Sequence, residues 1–205
     1  VNAILLMTQL GNLGGDALLD VLTGKVNPSG KTTDTWAKNY MDYPSSAKFS
    51  HNESVNDEMY EDGIYMGYRY FDSFDVETEY CFGFGRSYTE FELKAGEISV
   101  NGNEVQVPVE VKNIGSKYAG KEVVQVYYSA IGGEIDKPYQ ELAAYKKTKL
   151  LAPGESEQLV LSYPVSQMAS YSEQEAAWVL EQGEYVIRVG NSSASTVAAG
   201  VAEVK

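Results

Sequence analysis

The chain has 205 residues, 43% of them hydrophobic and 22% charged, a composition that fits one large or two small globular domains and does not indicate disorder. Its net charge of −13 divides into about −8 for residues 1–95 (7 basic, 15 acidic) and about −5 for residues 96–205 (9 basic, 14 acidic). Neither half therefore offers the electropositive surface that a nucleic acid requires. Cys81 is the only cysteine, which rules out an internal disulfide and a thiolate metal cluster and is compatible with a reducing compartment.

The opening Val1-Asn2-Ala3-Ile4-Leu5-Leu6-Met7 is apolar but carries no basic leader and no cleavage-like ending. It is also far shorter than the roughly 20 residues a bilayer span needs. No membrane partner is expected, and the compartment expected is the cytoplasm. The run continues through Gly11-Asn12-Leu13-Gly14-Gly15 into Asp16–Leu22, the pattern of a strand, a tight turn and a helix. A strand apolar on both faces belongs inside a mostly parallel sheet, yet the next 60 residues hold no second unit of the kind. The chain is therefore expected to be a piece of a longer polypeptide whose sheet it completes. The glycines do not follow G-x-G-x-x-G and no Lys-Ser or Lys-Thr succeeds them, so turn formation explains them better than phosphate binding. Gly24 is the expected left-handed cap of the helix, ahead of the turn Asn27-Pro28-Ser29-Gly30.

Residues 31–58 read as a long surface loop. His51 and its neighbours Asn52 and Glu53 lack a second histidine at ligand spacing, and no metal site is assigned. Glu61 and Asp62, adjacent along the chain, diverge rather than converge on one atom, which argues against an acid–base pair. From Tyr60 to Phe91 the chain concentrates 11 of its 24 aromatic residues, at the point where the hydrophobic rhythm changes. Beyond it the period is two. Val105, Val107, Val109 and Val111 alternate with polar residues as one half-buried strand, joined to Ile98–Val100 through a hairpin expected at Asn101-Gly102. Pro108, lacking an N–H, predicts an edge or bulged position.

Further strands are predicted at 123–128, 142–150, 158–163, 178–180, 185–189 and 197–204. Tyr185, Ile187 and Val189 should face inward, Glu184 and Arg188 outward, and Trp178 should be a core or inter-domain anchor. Lys146-Lys147-Thr148-Lys149 reads as a solvated strand face. The fold class is thus an α/β fragment followed by an all-β, immunoglobulin-like sandwich. No nucleophile, base and orienting group gather within it, and Cys81 in its aromatic setting reads as a buried thiol.

Several blocks resemble the C-terminal region of family 3 glycoside hydrolases of the beta-glucosidase type. These are Gly14-Gly15-Asp16 through Asn27-Pro28-Ser29-Gly30-Lys31, Tyr60-Glu61-Asp62-Gly63-Ile64-Tyr65-Met66-Gly67-Tyr68-Arg69-Tyr70-Phe71-Asp72, and Phe82-Gly83-Phe84-Gly85-Arg86-Ser87-Tyr88. Downstream, Val111-Lys112-Asn113-Ile114-Gly115, Ala119–Tyr127, Pro138–Leu142 and Pro153-Gly154-Glu155 are similar to the family's fibronectin-III-like domain. Cys81 and Arg86 depart from it, standing where Pro and Leu are usual. Residues 33–40 and 42–52 look most like members whose barrel follows the fibronectin-like domain.

The resemblance implies residues 1–91 as the end of a partial α/β sandwich domain with its aromatic seam, and residues 92–205 as the fibronectin-III-like domain. It implies a parent with a retaining, exo-acting mechanism in which two carboxyl groups lie about 5–5.5 Å apart. In the family the nucleophilic Asp belongs to a TIM-like barrel and the acid/base Glu to an upstream part of the α/β domain. No catalytic residue is matched here, the substrate-binding residues are unknown, and no cofactor is called for. The implied partners are the barrel and the rest of the α/β sandwich domain, and through them an oligosaccharide. The rival reading is a stand-alone carbohydrate-binding or surface-adhesion module.

Overall fold

A computed structural model describes residues 3–49 and 56–205. The expectations attached to His51, Asn52 and Glu53 lie outside the described residues. Residues 3–10, where a strand was expected, have no ladder partner among the described residues. Helix α1 (Gly14–Leu22) follows as predicted, and Gly24 closes it with φ 73°, its N–H donating to the Val21 carbonyl at 3.0 Å. No residue of α1 is buried.

The stretch after α1 is largely irregular, but it holds strand β1 (Trp36–Ala37) and a one-turn 3₁₀ helix (Tyr40–Asp42). Helix α2 (Tyr68–Ser73) then leads to β2 (Thr78–Tyr80), which pairs antiparallel with β1.

Ten further strands form the β region. β3 (Phe91–Ala95) and β4 (Ser99–Asn101) lie end to end along one side of β5 (Glu104–Asn113), with β8 (Ser156–Pro164) on the other. The second sheet runs β12 (Val197–Val204), β11 (Gly183–Gly190), β6 (Val123–Ala130) and β7 (Glu141–Lys147), all antiparallel. A hairpin of β9 (Ser170–Ser172) and β10 (Ala177–Val179) stands apart from both.

Period-two alternation explains the core. Val105, Val107, Val109 and Val111 of β5 and Leu159, Leu161 and Tyr163 of β8 face Val124, Val126 and Tyr128 of β6 and Tyr185, Ile187 and Val189 of β11. Glu184 is exposed as expected, whereas Arg188 on the same outer face is half covered.

Three expectations need correction. The hairpin turn is Gly102-Asn103, one residue later than predicted, because Asn101 pairs with Glu104 as the last residue of β4; Gly102 takes the left-handed φ of 61°. Pro108 sits in a central strand, not at an edge. The strand tolerates it because the Pro108 carbonyl, which accepts from Gly96 N–H at 2.8 Å, points to the break between β3 and β4. The missing donor points to that same gap, so no ladder bond is lost. Trp178 does not belong to the core of this chain: it is 72% exposed on the β9–β10 hairpin, its ring edge-on to Tyr171 at 5.7 Å, which corrects the core half of the expectation alone. Lys146, Lys147 and Lys149 are exposed, though Thr148 between them is buried.

Candidate functional site: the aromatic seam

Strand β6 is buried on both faces, an unusual state for an antiparallel sheet of a small sandwich. Its inner face carries Val124, Val126 and Tyr128. Its outer face carries Gln125, Tyr127 and Ser129, all buried; the segment 65–85 covers Gln125 and Tyr127. Helix α2 supplies the cover: Phe71 is 1% exposed, and Tyr68 packs 4.8 Å from Phe82 and edge-on to Tyr127 at 5.8 Å. Tyr43 and Tyr70 meet Phe71 edge-on at 5.8 and 5.4 Å.

Most polar groups trapped beneath these rings have a partner, Ser193 Oγ being an exception. Tyr127 Oη donates to Gln125 Oε1 (2.6 Å), and Gln125 Nε2 donates to the Asn191 carbonyl (2.8 Å). Tyr68 Oη accepts from the Leu142 amide (2.9 Å). Gln140, 1% exposed, donates to Asp72 Oδ2 and to the Ser193 carbonyl, both at 2.8 Å, and accepts from Thr196 Oγ1 at 2.9 Å. Burial pushes the Tyr68 and Tyr127 hydroxyls above their ordinary range; it also raises the Asp72 carboxyl, against the opposing hydrogen bond from Gln140.

A second line of contacts ties the turn after α1 to the sandwich. Asn27 Oδ1 accepts from Ser87 Oγ (2.9 Å) and the Tyr88 amide (2.8 Å), while its Nδ2 donates to the Ala119 carbonyl (3.0 Å). Lys31 and Glu122 form an ion pair at 2.8 Å with side chains only 12% and 8% exposed; Glu122 also accepts from Asn191 Nδ2 (3.0 Å) and the Val123 amide (2.7 Å). A pair this buried is held by geometry, since the cost of desolvating both ions roughly offsets their attraction.

The arrangement positions two layers. Glu61 is exposed and paired with Lys48, and Asp62 is exposed beside it. Cys81 is buried. Among the described residues no three of His, Cys, Asp and Glu gather as metal ligands, and no helix is long and apolar enough to cross a membrane. Sequence reasoning located the aromatic rings but not their connectors Gln125, Gln140 and Asn191. Only the polar Gln125 inside an otherwise apolar strand hinted at them.

Comparison with known proteins agrees with this two-part layout. Residues 1–68 match the glycosyl hydrolase family 3 C-terminal domain and residues 122–193 the fibronectin type III-like domain. Beta-glucosidase A of Butyrivibrio fibrisolvens is 40% identical over 96% of this chain, which covers 26% of that protein; a Ruminococcus albus beta-glucosidase is 41% identical over 93%, covering 20%. Among solved structures, beta-glucosidase 3B of Thermotoga neapolitana in complex with alpha-D-glucose superposes with a TM-score of 0.86 at 45% identity, over 95% of this chain and 27% of that one. The Kluyveromyces marxianus beta-glucosidase gives 0.89 at 34% identity, over 95% and 23%. The chain thus spans about a quarter of the length of these relatives.

Proposed function

Because the chain belongs to glycosyl hydrolase family 3 as its C-terminal region, the end of the α/β domain followed by the fibronectin-III-like domain, we propose that it is the non-catalytic, structural portion of a retaining, exo-acting, beta-glucosidase-like enzyme. Residues 1–91 complete the α/β domain, and residues 92–205 brace it through the aromatic seam. The remaining domains of the parent supply the reactive carboxyl groups and contact the oligosaccharide.

One observation carries this reading: α1 and the segment before it leave their apolar side chains in water. Ile4 (66%), Leu6 (55%), Leu13 (74%), Leu19 (58%) and Leu22 (65%) are exposed within some 20 residues. Contiguous apolar surface of this kind marks an interface. The three quarters of the relatives' length outside this chain supplies a cover of the right chemistry. Residues 3–10, largely exposed and without a ladder, fit as a strand whose neighbours lie in that other part.

The test is hydrolysis of an aryl β-glucoside by the purified 205-residue chain. No turnover is expected, and sustained turnover by contaminant-free protein would place reactive groups within the chain and end the structural reading.

A further inference from the structure

An open groove of about 590 Å³ runs along the outer face of the second sheet, between β11 and the connection 131–139. Its floor is Ser129, Val186 and Arg188, and Tyr139 forms one wall. Among the described residues Arg188 stands out. The other cations without a carboxylate partner, Arg86, Lys94, Lys112, Lys117, Lys121, Lys146 and Lys147, are all exposed, whereas Arg188 is half-buried and still unpaired. Its Nε donates to Ser129 Oγ at 2.9 Å and its guanidinium lies over the Tyr139 ring at 4.8 Å, which leaves the terminal amino groups free to donate into the groove.

That wall is held in place. Glu181 accepts from the Glu134 amide at 2.6 Å and pairs with Lys137. Tyr65 Oη donates to Asp136 Oδ1 at 2.7 Å, and the Tyr139 amide donates to Ser73 Oγ at 2.8 Å. A connection fixed from both ends presents Tyr139, 48% exposed, at little entropic cost to a ligand.

We propose that this groove binds a neutral glycan chain. The ring of Tyr139 offers an apolar face to the C–H side of a pyranose, the free Arg188 donors meet sugar hydroxyl oxygens, and the Glu134 and Asp136 carboxylates accept from hydroxyl groups. An anionic ligand is disfavoured, because three acids (Glu134, Asp136, Glu181) outnumber the two bases (Lys137, Arg188) around the groove. Its volume falls within the range of about 300–1,000 Å³ usual for small-molecule sites. The choice of a glycan over another polyol rests on the proposed glycosidase parentage.

The test is titration of the 205-residue chain with cellotetraose, followed through backbone amide chemical shifts. Saturable shifts at Ser129, Gly132, Gly133, Tyr139 and Arg188 are expected. Tyr139→Ala and Arg188→Met should weaken apparent affinity by about tenfold, while Tyr139→Trp, which keeps a stacking face, should retain it within about threefold. The unchanged shifts of the β5 and β8 amides report that each variant is folded, and if one is not, the remaining two decide the matter. Absent shifts, shifts confined elsewhere, or a groove that saturates with glucuronate but not with cellotetraose would each overturn the proposal. A chain that binds no glycan yet still assembles with the parent's other domains sinks this inference alone. Turnover by the isolated chain would sink the structural reading and leave the groove untouched.

Discussion

The outer face of β6 and the exposed face of α1 begin from similar sequence material and end in opposite states. Tyr127 on β6 is fully buried beneath Tyr68 and Phe82, whereas Leu13, Leu19 and Leu22 around α1 stand in water. The difference is not hydrophobicity, since α1 is if anything the more apolar of the two. It is whether the chain contains the covering layer. An apolar surface whose cover is encoded 40–60 residues away closes on itself; one whose cover is encoded outside the chain stays open and waits for a partner.

That contrast is sharpened by substitution at matched positions. Phe71→Ala, which empties a fully buried ring site in the seam, should cost the 205-residue chain about 3–5 kcal/mol in denaturant unfolding. Leu19→Ala on α1 should change it by no more than about 0.5 kcal/mol. Equal costs would erase the distinction. Next in size, Lys31→Met leaves Glu122 buried without its counter-ion and should cost about 3 kcal/mol, measured the same way; a neutral result would mean that water reaches the pair. Tyr70→Ala removes a half-buried ring packed on Phe71 and Phe74 and should lower stability by about 1.5–3 kcal/mol. If it left the melting temperature of the parent enzyme unchanged but abolished sugar turnover, the seam would be part of a site and not a brace.

The smallest effect concerns pH. Burial raises the Asp72 carboxyl above its ordinary value of 3.8, so protonation is easier in the folded than in the unfolded state. The stability this contributes is fully present below the unfolded value and is lost as pH rises through the folded one. The unfolding free energy of the wild type minus that of Asp72→Asn should therefore fall as pH rises through this window above 3.8. A flat difference would show that Asp72 is better hydrated than its position under Gln140 indicates.

The two regions also differ in how far they could be read from sequence. The inner core of the sandwich was legible because each strand alternates: Val105 to Val111 and Tyr185 to Val189 place themselves. The helix cap at Gly24 was legible from a single residue's chemistry. The outer face of β6 was not, because Gln125, Tyr127 Oη apart, becomes a connector only through partners distant in sequence, the Gly83 and Asn191 carbonyls. Trp178 as a core residue was misread for the complementary reason: a large ring predicts a cover, and nothing in local sequence says that β9 and β10 lack one within this chain. Pro108 was read by the right rule applied to the whole strand, when the relevant edge is the short gap between β3 and β4. In the groove, Arg188 was placed on the outer face correctly, but its stacking on Tyr139 depends on a connection some 50 residues earlier in the chain.

The central claim is that the α1 face is half of an interface. It is tested most directly by mixing the 205-residue chain with the remaining domains of a family 3 beta-glucosidase relative, prepared without this region, and measuring complex formation by analytical ultracentrifugation. The wild-type chain should form a 1:1 complex, and the double variant Leu13→Asp, Leu19→Asp should not, although its sandwich unfolds at the same denaturant concentration. A double variant that assembles as well as the wild type would contradict the account, because the exposed leucines would then have no partner to lose.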